Sequence, residues 1–303
     1  MATLLLLLLL PVAAGLAALA VRKNGSALTA LALATGAVNL GLAAWVYARG
    51  LSCTLPIELH GFEFAFEAEG SALYLLLAAI LFLPSAVYAA VHFRSKEGAG
   101  LFSLCLYVSL SMINGALLSD HLGLMLFFWE GLLCTMLGML LVADPEKPQA
   151  VMKGFALSGT ADLILMLGVT AVSHAAGTGR IGEISGLAAL GIGALGCAGL
   201  LAGSLGKAGC FPFHAWIPDA AQDAPAPFAA AFPNALYRIL GGSLAARTIL
   251  RLFALPSASA FRTVLILIGL ATLLIGAAFS LAQTDKRRSL AHLGIAQAGT
   301  FAL

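Results

Sequence analysis

Apolar residues fill this chain in long runs, and polar residues gather in the short intervals between them. The runs predict spans near 2–21, 27–48, 71–92, 100–118, 122–142, 154–174, 187–218, 226–250, 261–283 and 289–303. Most approach the roughly 20 residues that a helix needs to cross a bilayer. The tenth has run only 15 residues when the sequence reaches Leu303. The connections are short, which predicts antiparallel packing of neighbours. The interval 49–70 reads differently. Its "HGFEFAFEAEG" alternates apolar and acidic positions, the period of a strand, and predicts a β-hairpin on the membrane surface. The acids Glu58, Glu63, Glu67 and Glu69 are expected on its solvated rim. The fold class expected is all-α: a polytopic transmembrane helical bundle of about ten helices.

Composition supports that reading. The chain has 303 residues, 61% of them hydrophobic and 10% charged, with a mean hydropathy of +0.99. Soluble domains carry about 25% charged residues, so a soluble enzyme is excluded. The net charge of +2 is small and the basic residues are scattered, which argues against a nucleic-acid partner. Cys53, Cys105, Cys134, Cys197 and Cys210 form no CxxC pair and read as small buried hydrophobes. No zinc or iron–sulfur spacing is present, so neither a metal nor another cofactor is expected.

The opening "MATLLLLLLLPVAAGLAALAV" lacks the basic start of a signal peptide, and Arg22 and Lys23 follow it. It reads as a first transmembrane helix with its N-terminus outside. Nine basic residues then fall in cytoplasmic intervals: Arg22, Lys23, Arg94, Lys96, Lys147, Lys153, Lys286, Arg287 and Arg288. Five fall outside: Arg49, Arg180, Arg247, Arg251 and Arg262. The asymmetry follows the positive-inside rule.

Ionisable residues inside spans are costly and mark ion pathways or fixed pairs. Glu130 in "FFWEGLL" lies near mid-span. Lys207 follows about 20 apolar residues, and "GKAGCFP" then places Gly206, Gly209 and Pro212 around it. Glycine and proline disfavour helix by about 1 and 3 kcal/mol, so a helix break near 206–212 is expected, with its freed carbonyls available to the lysine amine. Discontinuous helices are ion sites in transporters. Arg238 sits near the middle of the next span, one turn after Pro233. Arginine stays charged, which suits pairing better than proton transfer. Asp162, Lys153 and His214 are weaker candidates for the same path, and His174 is expected near the outer surface.

The stretch "GKAGCFPFHAWIPDAAQDAPAP" resembles a known family signature: a GK, then PxHxWxPDA, then P-x-P. "FFWE" ending at Glu130 and "AQTDKRRSLAHLGIAQAG" from Ala282 to Gly299 are similar to two further family segments. The family is that of the antiporter-like membrane subunits of respiratory complex I, shared with Mrp-type cation/proton antiporters and group 4 nickel–iron hydrogenases. The resemblance implies an inverted-repeat transporter fold. It implies 1–99 as N-terminal helices, 100–250 as a first five-helix ion-translocating repeat, and 251–303 as the start of a second, truncated one. It therefore also implies an N-terminal fragment of a longer subunit.

As function, the resemblance implies proton or sodium translocation in a redox-driven complex, NADH:quinone oxidoreductase-like or hydrogenase-4-like. An Mrp-type antiporter subunit and a structural subunit with an inactive channel stand as alternatives. Partners would be other membrane subunits, the lipid bilayer and the transported ion, in a bacterial or archaeal plasma membrane. Any redox catalysis would belong to the partner subunits. Glu130 and Lys207 would form the central pair, with Arg238 where many members carry a lysine.

Overall fold

The computed structural model of the chain describes residues 1–59, 62–68, 70–94, 96–142 and 148–300. Lys147 and Glu69 lie outside the described residues, as do the side chains of Glu58 and Glu63 and the last three residues of the tenth predicted span. Among the described residues, eight helices are long and apolar enough to cross a membrane. The chain divides into two compact units.

The first unit comprises Met1–Pro145 and Pro225–Leu236. It holds α1 (Ala2–Val21), α2 (Gly25–Arg49), α3 (Ala72–His92), α4 (Ala99–Leu118) and α5 (Leu122–Leu140). α1 packs on α4, α2 on α3, and α4 on α5. Asn24 caps α2 by accepting the amides of Ser26 and Ala27. Gly50, at φ 59°, ends the same helix in a left-handed turn. Polar side chains tie the helices together where lipid offers no hydrophobic drive. Asn114 on α4 donates to the Leu7 carbonyl at 2.9 Å and to Asn39 Oδ1 at 3.0 Å. Ser111 donates to the Leu8 carbonyl at 2.6 Å. The expected hairpin forms from β1 (Ser52–Leu59) and β2 (Phe62–Glu67), antiparallel, with an irregularity between Thr54 and Glu58.

The second unit comprises Glu146–Ala224 and Tyr237–Leu303. It holds α6 (Pro148–Ala176), α7 (Ile192–Ala208) and α8 (Ile217–Asp223). The short α9 (Ala226–Ala231) belongs to the first unit, and the second continues with α10 (Tyr237–Arg247), α11 (Ala260–Ala282) and α12 (Lys286–Gly299). Glycines set its closest helix approaches. A Cβ at Gly168 of α6 would lie 2.7 Å from the Gly199 backbone of α7. One at Gly203 would lie 2.6 Å from Leu165, and one at Gly196 2.6 Å from Val172. α11 and α12 meet in the same way, with Gly276 against the Ala296 backbone. Small residues that admit close backbones are the usual glue between membrane helices.

Three predicted spans differ from what forms. The seventh begins at Ile192, not 187, because Gly191 adopts φ 54°, ψ −123°, which stops a helix extending backwards. The eighth is segmented. After α9, a π turn spans Phe232–Leu236, and a second π turn over Thr248–Leu252 follows α10. Pro233 therefore sits in a widened turn rather than at a break. The tenth starts earlier, at Lys286, because Asp285 caps it by accepting the Arg288 amide at 2.9 Å. The cysteine reading also needs correction. Cys105, Cys197 and Cys210 are buried, but Cys53 is only half-buried and Cys134 is exposed.

Candidate functional site

α7 stops one residue after Lys207. Gly209 takes φ 78° at its end. The Cys210 amide reaches back to the Leu205 carbonyl at 2.9 Å, and the Gly209 amide to Gly206 at 3.3 Å. A reversal closed by a six-to-one bond is how a glycine ends a helix. The Phe211 amide donates to Thr272 Oγ1 on α11 at 3.0 Å, and Pro212 has no amide to satisfy. The chain then makes a 3₁₀ turn over Phe213–Trp216 and enters α8. The break at 206–212 is thus a built joint in which the Gly209, Cys210 and Phe211 amides are bonded within the protein.

Lys207 is buried on the last turn of α7, 1% exposed. Its Nζ lies 2.7 Å from Asp162 Oδ2 on α6, and that carboxylate is buried as well. The amine also sits 4.5 Å from the centre of the Tyr237 ring and 3.5 Å from its hydroxyl. A carboxylate, a ring face and the negative end of α7 all favour a cation at this point. The Leu205 and Gly206 carbonyls accept backbone amides, and the Asp162 carboxylate supplies a close opposite charge.

Two glycines place these partners. A Cβ at Gly206 would collide with Ala161 Cβ. Gly206 therefore lets α6 approach just where Asp162, the next residue, meets Lys207. A Cβ at Gly241 would lie 2.7 Å from the Ala208 amide. Gly241 therefore brings α10 onto α7, with Tyr237 one turn away.

The other candidate residues have surroundings of their own. Arg238 is 7% exposed and its Nη2 donates to the Gly294 carbonyl of α12 at 2.6 Å. His214 is half-buried in the 3₁₀ turn, with its ring 5.9 Å from that of Phe211. Lys153 is 44% exposed and pairs with Asp219 of α8, not with Asp162. Asp219 also takes Arg288 of α12 at 2.5 Å. His174 is exposed, and Glu130 is half-buried on α5 in the first unit.

Sequence reasoning passed over Tyr237, Thr272, Gly294 and the bridging role of Asp219. Tyr237 adjoins a buried arginine, and that was the one local signal for it. Nothing local marks Gly294, which acts through its backbone. His292 was missed too. It is 8% exposed and stacked on Phe279 at 5.5 Å.

Residues 119–303 match the family described as NADH:quinone oxidoreductase/Mrp antiporter, transmembrane. The NADH-quinone oxidoreductase subunit N of Rhizorhabdus wittichii is 29% identical over 88% of this chain and 57% of its own length. The fold of this chain is similar to that of a chain in respiratory complex I from Thermus thermophilus, with TM-score 0.82 and 23% identity over 99% of this chain and 63% of that one. A chain of the Mrp complex from Dietzia sp. matches with TM-score 0.79 and 20% identity, over 96% of this chain and 33% of that one. The chain spans about half the length of the curated relatives it matches, 57%, 47% and 53% of three of them.

Proposed function

The chain belongs to the NADH:quinone oxidoreductase/Mrp antiporter transmembrane family, and from that premise we propose that it translocates protons, or sodium ions, as one membrane subunit of a redox-driven complex. The observation that carries this reading is the buried Lys207–Asp162 pair at the end of a broken helix. At 2.7 Å the two groups are close enough for a proton to pass directly between them. Lys207 holds the proton at Nζ while Asp162 is ionised. A second charge arriving nearby changes which of the two keeps it.

In this reading Glu130 is that second charge, the carboxylate whose ionisation draws on Lys207. Arg238 carries a fixed positive charge next in line, and His214 lies on the path towards water. The repeat organisation follows the family: 1–99 as N-terminal helices, 100–250 as the first repeat, 251–303 as the start of the second. The N-terminus lies outside a bacterial or archaeal plasma membrane, which puts Arg22, Lys23, Lys153 and Arg288 on the cytoplasmic side. The electron donor and acceptor sites belong to partner subunits.

One observation favours a second reading, a structural subunit with a silent channel. The Arg238 guanidinium is tied to the α12 backbone through Gly294, as a brace would be. The test separates the two. Glu130→Gln and Lys207→Ala are placed in the intact complex, and proton uptake by vesicles is measured against the rate of the redox reaction. Losing a positioned proton-transfer group lowers the rate by roughly a hundredfold, so uptake per assembled complex is expected to collapse in both variants. Normal uptake in both would leave the structural reading.

A further inference from the structure

The first unit holds a cleft of about 600 Å³ at the adjoining ends of α1 and α4, lined in part by Arg22, Lys23, Lys96, Leu19 and Leu101. Three cations and one carboxylate, Glu97, border it, so its balance is positive. Among the described residues none of the three cations is engaged in an ion pair. Arg22 is exposed, and its stem passes close to Gly100. A Cβ at Gly100 would lie 3.1 Å from Arg22 Cδ and 3.3 Å from Leu19 Cδ2. The absence of that Cβ lets the arginine stem lie across the first turn of α4. That turn starts at Gly98, whose lack of a side chain leaves it without a side-chain cap. First-turn amides have no intrahelical acceptor and give a helix start a partial positive charge.

Cations rim this cleft, and leucines form part of its wall. Both helices that end at it are long and apolar enough to cross a membrane. A soluble anion would have no use for the leucines, and a zwitterionic lipid would bring a cation of its own among these three. We infer that this cleft binds an anionic glycerophospholipid, the phosphate group among Arg22, Lys23 and Lys96 and the acyl chains along the apolar surface of Leu19 and Leu101. Basic pockets at the ends of membrane helices suit such headgroups, and each cation near an anionic membrane surface contributes about a fivefold gain in binding. The inference rests on the membrane setting and is independent of the ion-translocation reading.

The test uses the intact complex in phosphatidylcholine vesicles carrying a trace of photoactivatable phosphatidylglycerol or photoactivatable phosphatidylcholine. Crosslinks are mapped by mass spectrometry to residues 19–23 and 96–101. Phosphatidylglycerol is expected to label these segments severalfold more than phosphatidylcholine. The triple variant Arg22→Gln, Lys23→Gln, Lys96→Gln is expected to abolish the preference. Lys96→Gln alone, at an exposed position where folding is not at risk, should weaken it by about fivefold. Arg49→Gln at the end of α2 should leave it intact. Equal labelling by the two lipids overturns the inference, and so does a preference that survives the triple substitution. Suppression by excess inorganic phosphate would make this a free-anion site and also overturn it.

Discussion

Lys207 carries the sharpest energetic statement in the chain. Its amine and the Asp162 carboxylate are each nearly inaccessible, 2.7 Å apart. Removing one member of a buried pair strands the other charge at a cost of about 3–5 kcal/mol, whereas replacing both with apolar residues is often close to neutral. Asp162→Leu and Lys207→Met should therefore each destabilise strongly alone and much less together. Thermal unfolding in detergent measures the cycle, and simple additivity would show that the pair is not coupled. A proton-uptake assay on the same double variant adds a second readout: stability should return, and transport should not. Arg238 is a different case. Its bond to the Gly294 carbonyl fixes α10 to α12, a role a lysine would fill with fewer donors.

At the scale of elements, the joint between α7 and α8 depends on two glycines acting in different ways. Gly209 is needed for its backbone. At φ 78°, with Ile217 Cδ1 2.6 Å from where a Cβ would stand, Gly209→Ala is expected to cost about 1–2 kcal/mol. Gly206 is needed for its emptiness against Ala161. Gly206→Val should wedge α6 from α7 and separate Asp162 from Lys207 without touching either. The check is a crosslink between cysteines introduced at 161 and 206's neighbour Leu205, together with the proton-uptake assay. Transport should fall with Gly206→Val far more than with Gly209→Ala. Equal losses would mean that the loop conformation, rather than the helix approach, positions the lysine.

At the scale of the whole molecule, distant parts of the chain are joined by single residues. Asp219 takes Lys153 from α6 and Arg288 from α12, residues 66 and 69 positions away. All three side chains are 26–44% exposed. Exposed pairs contribute about 0–1 kcal/mol each and weaken with salt. Asp219→Asn should thus lower the unfolding temperature only slightly at low ionic strength, and not at all in high salt. A large loss that salt does not reduce would assign Asp219 a role beyond this clamp.

Much of this architecture was legible in the residues themselves. The spans, the hairpin of β1 and β2 and the break after Lys207 follow from local rules: hydropathy over about 20 residues, period-two alternation, and glycine and proline in a helical run. The charge at Lys207 announced itself because a cation inside an apolar run must have a partner. The identity of a close, oppositely charged partner was a different kind of fact. Asp162 stands 45 residues away, and nothing in its own neighbourhood says which face of α6 meets α7. That is decided by the seam of Gly196, Gly199, Gly203 and Gly206 against Val172, Gly168, Leu165 and Ala161. Tyr237 likewise reaches the lysine because Gly241 lets α10 lie against the α7 backbone. Local sequence determined which segments are helices and where one must end. Packing decided which side chains touch, because contact depends on how closely and in what register two helices approach, and both belong to the pair rather than to either helix.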